Sequence, residues 1–383
     1  MKIKAYFTFW VILTVSTACS RKQNVFHGEV QGLKAGDRIV LAVQNLNGPG
    51  RIPKDSIVVS KDNEFTLKTS VTDEYGFLTL LKPGESFNPE SEGQPRIFLE
   101  GFSEIRVKGD TENWYYLRPS GGLYEHPDMQ AINQITWKAL DIQQNAFQLL
   151  DQAEKNGDSL QQAEGMKLID ESNDMLMSVD SLEKVFRLKN PDNAYSAALL
   201  RYEYLDMADF SEYEKAFEQL SPRVQASPAG REIALYIQQK KTSEPGAVAP
   251  DFAIKDTTGK IIRLSDYRGK YVLLNFWGSW CAPCRESLPK LKELYTKVQG
   301  KDLVMIGIAC REQSETWKKS IREEGLEWLQ LNDAHSPEGQ SVQKMYAIDG
   351  VPTCVLIDPE GKILYKEHPY ILILRVEYLL LKK

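Results

Sequence analysis

A chain of 383 residues is long enough for two or three domains, each able to bury a core. Its formal net charge of −6 argues against nucleic acid as a partner, because phosphate backbones are met by basic surfaces. Five cysteines are too few for a disulfide scaffold, so the count points to specific uses.

Residues 1–18 read as a signal peptide that is no part of the fold. Lys2 and Lys4 make a basic start, Ala5 to Val15 is mostly apolar, and the small residues Ser16, Thr17 and Ala18 lead into Cys19. The apolar run is shorter than the ~20 residues a membrane-spanning helix needs. A cysteine directly after small residues resembles a bacterial lipoprotein signal, in which Cys19 would be lipidated and become the new N-terminus. One departure is Ser16, which stands where such signals prefer Leu or Val. Residues 19–24 then form a tether. No acidic run follows Cys19, which favours retention on the periplasmic side of a membrane, with the lipid as a partner. Plain secretion with an incidental cysteine is the alternative.

Residues 25–123 read as all-β. Short alternating segments recur at 26–30, 37–43, 56–59, 65–69, 77–81, 97–99 and 105–107, separated by turn residues such as Asn47-Gly48-Pro49-Gly50 and Lys82-Pro83-Gly84. That spacing predicts a sandwich-like β domain. It holds no catalytic constellation, and a spacer or docking module is the favoured reading.

Residues 124–243 change to a helical period. Ile132, Ile135, Ala139, Ile142, Ala146, Leu149 and Ala153 make one apolar stripe. Asn156-Gly157-Asp158 ends that helix, and a second runs from about Ser159 to Leu188. Shorter helices follow around 194–207, 211–220 and 229–241, and the whole is read as a helical spacer. A coiled-coil dimer is less favoured than packing within the chain, since the stripe lasts only about three heptads.

Residues 244–383 form the last domain. Segments 251–254 and 260–264 flank a turn at Thr257-Thr258-Gly259. Tyr271 to Phe276 reads as a buried strand, followed by the turn Gly278-Ser279 and then Trp280-Cys281-Ala282-Pro283-Cys284. The helical pattern Leu288, Leu291, Leu294, Tyr295, Val298 comes next. The two cysteines therefore stand where a strand hands over to a helix. Free N–H groups and the positive end of the helix dipole stabilise a thiolate there, and the thiolate is the nucleophile. Cys281 at the tip is placed to attack and Cys284, one turn in, to resolve. A zinc site would need a second ligand pair, and His27, His126, His335 and His368 supply none. A c-type haem attachment would need His after the second cysteine, where Arg285 stands. Neither metal nor cofactor is expected. Residues 303–309 read as a second buried strand, 314–324 as a helix, and 355–357 with 362–365 as a hairpin.

Val272 to Pro289 resembles the active-site segment of the thioredoxin superfamily. The nearest likeness is its TlpA/ResA branch of membrane-tethered reductases, carried by Ala249-Pro250-Asp251-Phe252, Gly269-Lys270, Leu274-Asn275-Phe276-Trp277 and Trp280-Cys281-Ala282-Pro283-Cys284. The resemblance implies a thioredoxin-like α/β fold for the last third of the chain. It implies a redox disulfide between Cys281 and Cys284, and a cis Pro352 in Gly350-Val351-Pro352-Thr353 lying against the sulfurs. Trp280 and Pro352 would shape the docking surface. Thioredoxins carry a buried Asp where this chain has Asn275, and many maturation-type members carry Glu where it has Ser287. Cys310 and Cys354 end and begin apolar strands and read as small core hydrophobes.

The expectation is thus a multidomain, exported, membrane-anchored lipoprotein: an all-β N-terminal domain, a helical middle and a thioredoxin-like C-terminal domain. It would reduce disulfides of protein substrates, recharged by a membrane or periplasmic electron donor. Two alternatives stay open. One is a peroxiredoxin-like thiol peroxidase, since Ala249–Phe252 also occurs there. The other is a non-enzymatic binding lipoprotein of the envelope.

Overall fold

A computed structural model describes residues 22–45, 50–91, 93–203, 210–337 and 340–381; Cys19 and the segment expected to be a leader lie outside them. The chain divides into two compact units, one comprising residues up to 45 and 50–186, the other including everything from 187 onward.

The first unit opens with eight strands: β1 (Asn24–Gln31), β2 (Arg38–Gln44), β3 (Arg51–Val58), β4 (Glu64–Thr69), β5 (Glu74–Leu81), β6 (Arg96–Leu99), β7 (Glu104–Asp110) and β8 (Arg118–Ser120). They form two four-stranded sheets, ordered β4-β1-β7-β8 and β3-β2-β5-β6. Phe26, Leu67 and Val107 of the first sheet share one buried core with Ile39, Leu41 and Leu78 of the second, the expected sandwich. The alternation in β4, buried at Phe65, Leu67 and Thr69, is the period-2 signature of a strand wet on one face.

Two long helices complete this unit, α1 (Pro127–Asn156) and α2 (Ser159–Lys189). Of the predicted stripe on α1, Ile132, Ala139, Ala146 and Ala153 are buried while Ile135, Ile142 and Leu149 are half-buried. The buried members recur every seventh residue, the a-type seam of a close helix contact. Gly157, at φ 68°, ends α1 in the left-handed conformation that glycine adopts without strain.

The second unit begins with α3 (Ala194–Glu203), α4 (Phe210–Glu218), α5 (Pro222–Gln225) and α6 (Pro228–Thr242), so these helices belong with the redox fold. Next come β9 (Ala253–Lys255), β10 (Ile261–Arg263), β11 (Tyr271–Trp277), α7 (Ala282–Val298), β12 (Leu303–Ala309), α8 (Ser314–Glu323), β13 (Leu329–Asn332), α9 (Val342–Met345), β14 (Thr353–Ile357), β15 (Ile363–Glu367) and α10 (Pro369–Leu381). The main sheet runs β13-β12-β11-β14-β15; β11 pairs parallel with β12 and antiparallel with β14.

β11 is buried on both faces, hence its run of apolar residues, which only Asn275 interrupts. Leu273 and Trp277 face the layer built by Leu288, Leu291 and Leu294 of α7 and Leu372 and Val376 of α10. Val272, Leu274 and Phe276 face the opposite layer, with Phe252, Ile308 and Tyr346. This is the thioredoxin-like arrangement, and it holds the start of α7 at the C-terminal end of β11.

Candidate active site

The turn after β11 delivers Cys281 as the N-cap of α7, with Pro283 in the first turn, where a missing N–H costs nothing. Cys281 and Cys284 are joined as a disulfide, with their Cα atoms 5.2 Å apart. The Cys284 N–H points at Cys281 Sγ from 3.2 Å, an orphan amide of the helix start supplied directly to the sulfur. Cys281 is 5% exposed and Cys284 1%, so the sulfur at the tip is the more accessible but is far from open. Trp280 beside it is 55% exposed, its Nε1–H donating to the Cys310 carbonyl at 3.2 Å.

The Val351–Pro352 peptide bond is cis, as the resemblance implied. The Val351 carbonyl oxygen lies 3.6 Å from Cys281 Sγ, which brings the second predicted element onto the first. All four sequence-predicted residues of the domain, Trp280, Cys281, Cys284 and Pro352, thus stand at one edge of the sheet.

Under the disulfide, Asn275 pairs across the sheet with Cys354, whose thiol donates to Asn275 Oδ1 at 3.4 Å. Asn275 lies on the α7 side of β11, between Leu273 and Trp277, and its buried Nδ2 has no partner among the described residues. Ser287 is buried and donates to the Cys284 carbonyl at 2.7 Å, a neutral hydroxyl in place of a carboxylate. Cys310 and Cys354 are fully buried, and burial pushes both thiols far above their ordinary range, so neither supplies a thiolate. Cys310 directly follows β12 and Cys354 is the second residue of β14, the two strands that flank β11.

Sequence reasoning missed two acidic residues here. Glu312 is buried, and its carboxylate accepts the Ser279 N–H at 2.6 Å, two residues before Cys281. Its signal was position: it sits in the loop after β12, on the same sheet edge as the loop after β11. Asp349 precedes the Val351–Pro352 segment and accepts hydrogen bonds from Tyr236 and Lys240 of α6. Nothing in the local sequence joins residues so far apart.

Lys366 of β15 is half-buried nearby, donating to the Tyr346 carbonyl at 2.7 Å and to Ser243 Oγ at 3.2 Å. Burial, and then the charge of Lys240, push its ammonium down to about 8 from 10.5, against the opposing pull of Glu244 and Asp349. Between those two values the folded chain holds fewer protons than the unfolded one, so this group makes stability rise with pH across that window. Below about 8 both states are charged and the burial cost is carried in full. From pH 7.5 to 9.5 the wild type should therefore gain on the order of 1–2 kcal/mol more unfolding free energy than Lys366→Met. Denaturant titration of both proteins at the two pH values measures this; parallel curves would rule it out.

A disulfide-bonded cysteine pair at a helix N-terminus, beside a proline loop and on this sheet, places the molecule in the class of thioredoxin-like thiol–disulfide oxidoreductases. The AhpC/TSA family profile matches residues 245–366. The thiol-disulfide oxidoreductase ResA of Bacillus cereus is 35% identical over 129 residues, covering 34% of this chain and 72% of that protein. ResA of Bacillus subtilis is 32% identical over 32% of this chain and 67% of its own length. The solved thioredoxin domain of a thiol-disulfide oxidoreductase from Bacteroides vulgatus is 35% identical and covers 36% of this chain and 97% of its own, with a TM-score of 0.33. The chain belongs to the ResA family of thiol-disulfide oxidoreductases.

Proposed function

We propose that this oxidoreductase works in the cell envelope as a reductase of protein disulfides, with Cys281 attacking and Cys284 resolving. The observation that carries this is the Cys284 N–H directed at Cys281 Sγ at the start of α7. A thiolate on Cys281 would be stabilised there, while the more deeply buried Cys284 reaches only its neighbour.

The step balances as follows. The Cys281 thiolate attacks one substrate sulfur, the substrate S–S bond breaks, and the second substrate sulfur leaves as a thiolate. Cys284, losing its proton, then attacks Cys281 Sγ and displaces the first substrate sulfur, leaving the Cys281–Cys284 disulfide. Two electrons pass to the substrate, and a dithiol donor on the membrane or in the periplasm returns them. Val351 supports a docking role for the Pro352 loop. Apart from the approach to Cys281, its N–H and C=O make no hydrogen bond among the described residues, so the main chain of an extended substrate can pair there.

Residues 1–18 are proposed as the removed leader, Cys19 as the lipidated N-terminus and 19–24 as the tether to a periplasm-facing membrane. The β domain of residues 25–123 is a spacer or docking module in this reading, and residues 124–243 form the helical region. No helix among the described residues is long and apolar enough to cross a membrane.

One preparation tests both halves. Full-length chain extracted from membranes should carry an acyl mass on Cys19 and should catalyse insulin reduction by dithiothreitol. Absence of the acyl mass sinks the anchor. Rapid peroxide consumption with negligible insulin reduction would transfer the cysteines to peroxidase chemistry.

A further inference from the structure

The last two turns of α6 reach the active edge of the redox fold. Tyr236 and Lys240, four residues apart, lie on one helix face. Tyr236 Oη donates to Asp349 Oδ1 at 3.0 Å, and Lys240 Nζ donates to Asp349 Oδ2 at 3.0 Å. Both oxygens of one carboxylate are thus held by α6. The Tyr236 ring is itself met edge-on by Phe210 and Tyr213 of α4. The side chains of Lys240 and Asp349 are 21% and 32% exposed, which shields their attraction from solvent more than in the open Lys61–Glu64 pair.

Asp349 leads directly into Gly350-Val351-Pro352. Gly350 has no side chain, and nothing stands within 4 Å of where one would begin, so it adds no packing, while Val351 is half-buried against both core layers. The segment is also held at its two ends. Asp349 is held by α6, and Thr353 Oγ1 donates back to the Gly350 carbonyl at 2.7 Å. Between those anchors the Val351 carbonyl faces Cys281 Sγ.

We propose that α6, which lies before the residues matched by the family profile, is a working part of the redox site. Tyr236 and Lys240 act as positioning residues that hold Asp349, and through it the Val351 main chain, in register for the polypeptide that carries the substrate disulfide. The inference rests on Cys281 being the attacking sulfur. A substrate that must lie along Val351 depends on the clamp, whereas a small disulfide that meets only the sulfur does not.

The test compares the full chain with Tyr236→Phe/Lys240→Met and with Asp349→Asn, using insulin and a small aromatic disulfide as substrates. Loss of the two clamp bonds should raise KM for insulin about tenfold, the factor that corresponds to about 1.4 kcal/mol. Turnover at saturation and the small-disulfide rate should stay within about twofold. Lys240→Arg, which restores the cation, should recover most of the loss. An unchanged KM in both variants, with an active wild type, overturns the clamp alone. A small-disulfide rate that falls in step with insulin also overturns it, since that marks general loosening. A wild type inert on both substrates overturns the functional reading and the clamp together.

Discussion

Cys281→Ser should abolish insulin reduction, lowering the rate by about three orders of magnitude or more, because an alcohol at this position neither ionises nor exchanges with a disulfide. The local geometry would survive: a serine hydroxyl caps a helix start at least as well as sulfur, so the fold need not suffer. Cys284→Ser should behave differently. Cys281 would keep its cap position and the orphan amide of residue 284, so the first attack proceeds. With no second sulfur, the mixed disulfide would then accumulate to about one per enzyme, and turnover would stop after that single event. Non-reducing electrophoresis separates the two outcomes: a trapped adduct for Cys284→Ser and none for Cys281→Ser. Equal, full activity in both variants would remove the mechanism. The same adduct, formed in the native envelope with Cys284→Ala, would name the physiological substrates.

Much of this site was legible because its chemistry is written locally. Strand, turn, cysteine pair and helix follow one another without interruption from Tyr271 to Val298, and short-range patterns of that kind survive folding. The features that were missed depend on distant partners. β8 is three residues long with Pro119 at its centre, and only its pairing with β7 makes it a strand. β13 is four residues, too short for alternation to register, and exists by pairing with β12. α10 escapes a reading from sequence because Ile371 to Leu374 is apolar without a clear period. Its hydrophobic side is defined only by packing against α7 and the sheet. Glu312 and Asp349 look like ordinary loop acids until the fold places one against Ser279 and the other against α6. The unpartnered Nδ2 of Asn275 is likewise invisible before the strand is buried.

The second large effect concerns the direction of electron flow, which depends on how well the protein holds a Cys281 thiolate relative to the disulfide. The Cys284 amide and the α7 dipole favour the thiolate. Little else does. Ala282 and Pro283, between the sulfurs, carry no charge, and Asn275 is neutral with its oxygen committed to Cys354. The Glu312 carboxylate, buried against the Ser279 N–H, adds an anion close to the same turn and opposes a thiolate there. A reduced form stabilised so modestly makes a reducing couple, expected nearer thioredoxin's about −270 mV than DsbA's about −120 mV. That gap of about 150 mV corresponds to about five orders of magnitude in the equilibrium constant, since each tenfold step is about 30 mV for two electrons. Equilibration with glutathione buffers, read by tryptophan fluorescence, should therefore leave the wild type oxidised except under strongly reducing mixtures. Glu312→Gln removes the anion while keeping an acceptor for Ser279, and should raise the potential by about 30 mV. A wild-type couple close to about −120 mV, unmoved by Glu312→Gln, would make this protein an oxidant and reverse the proposed direction.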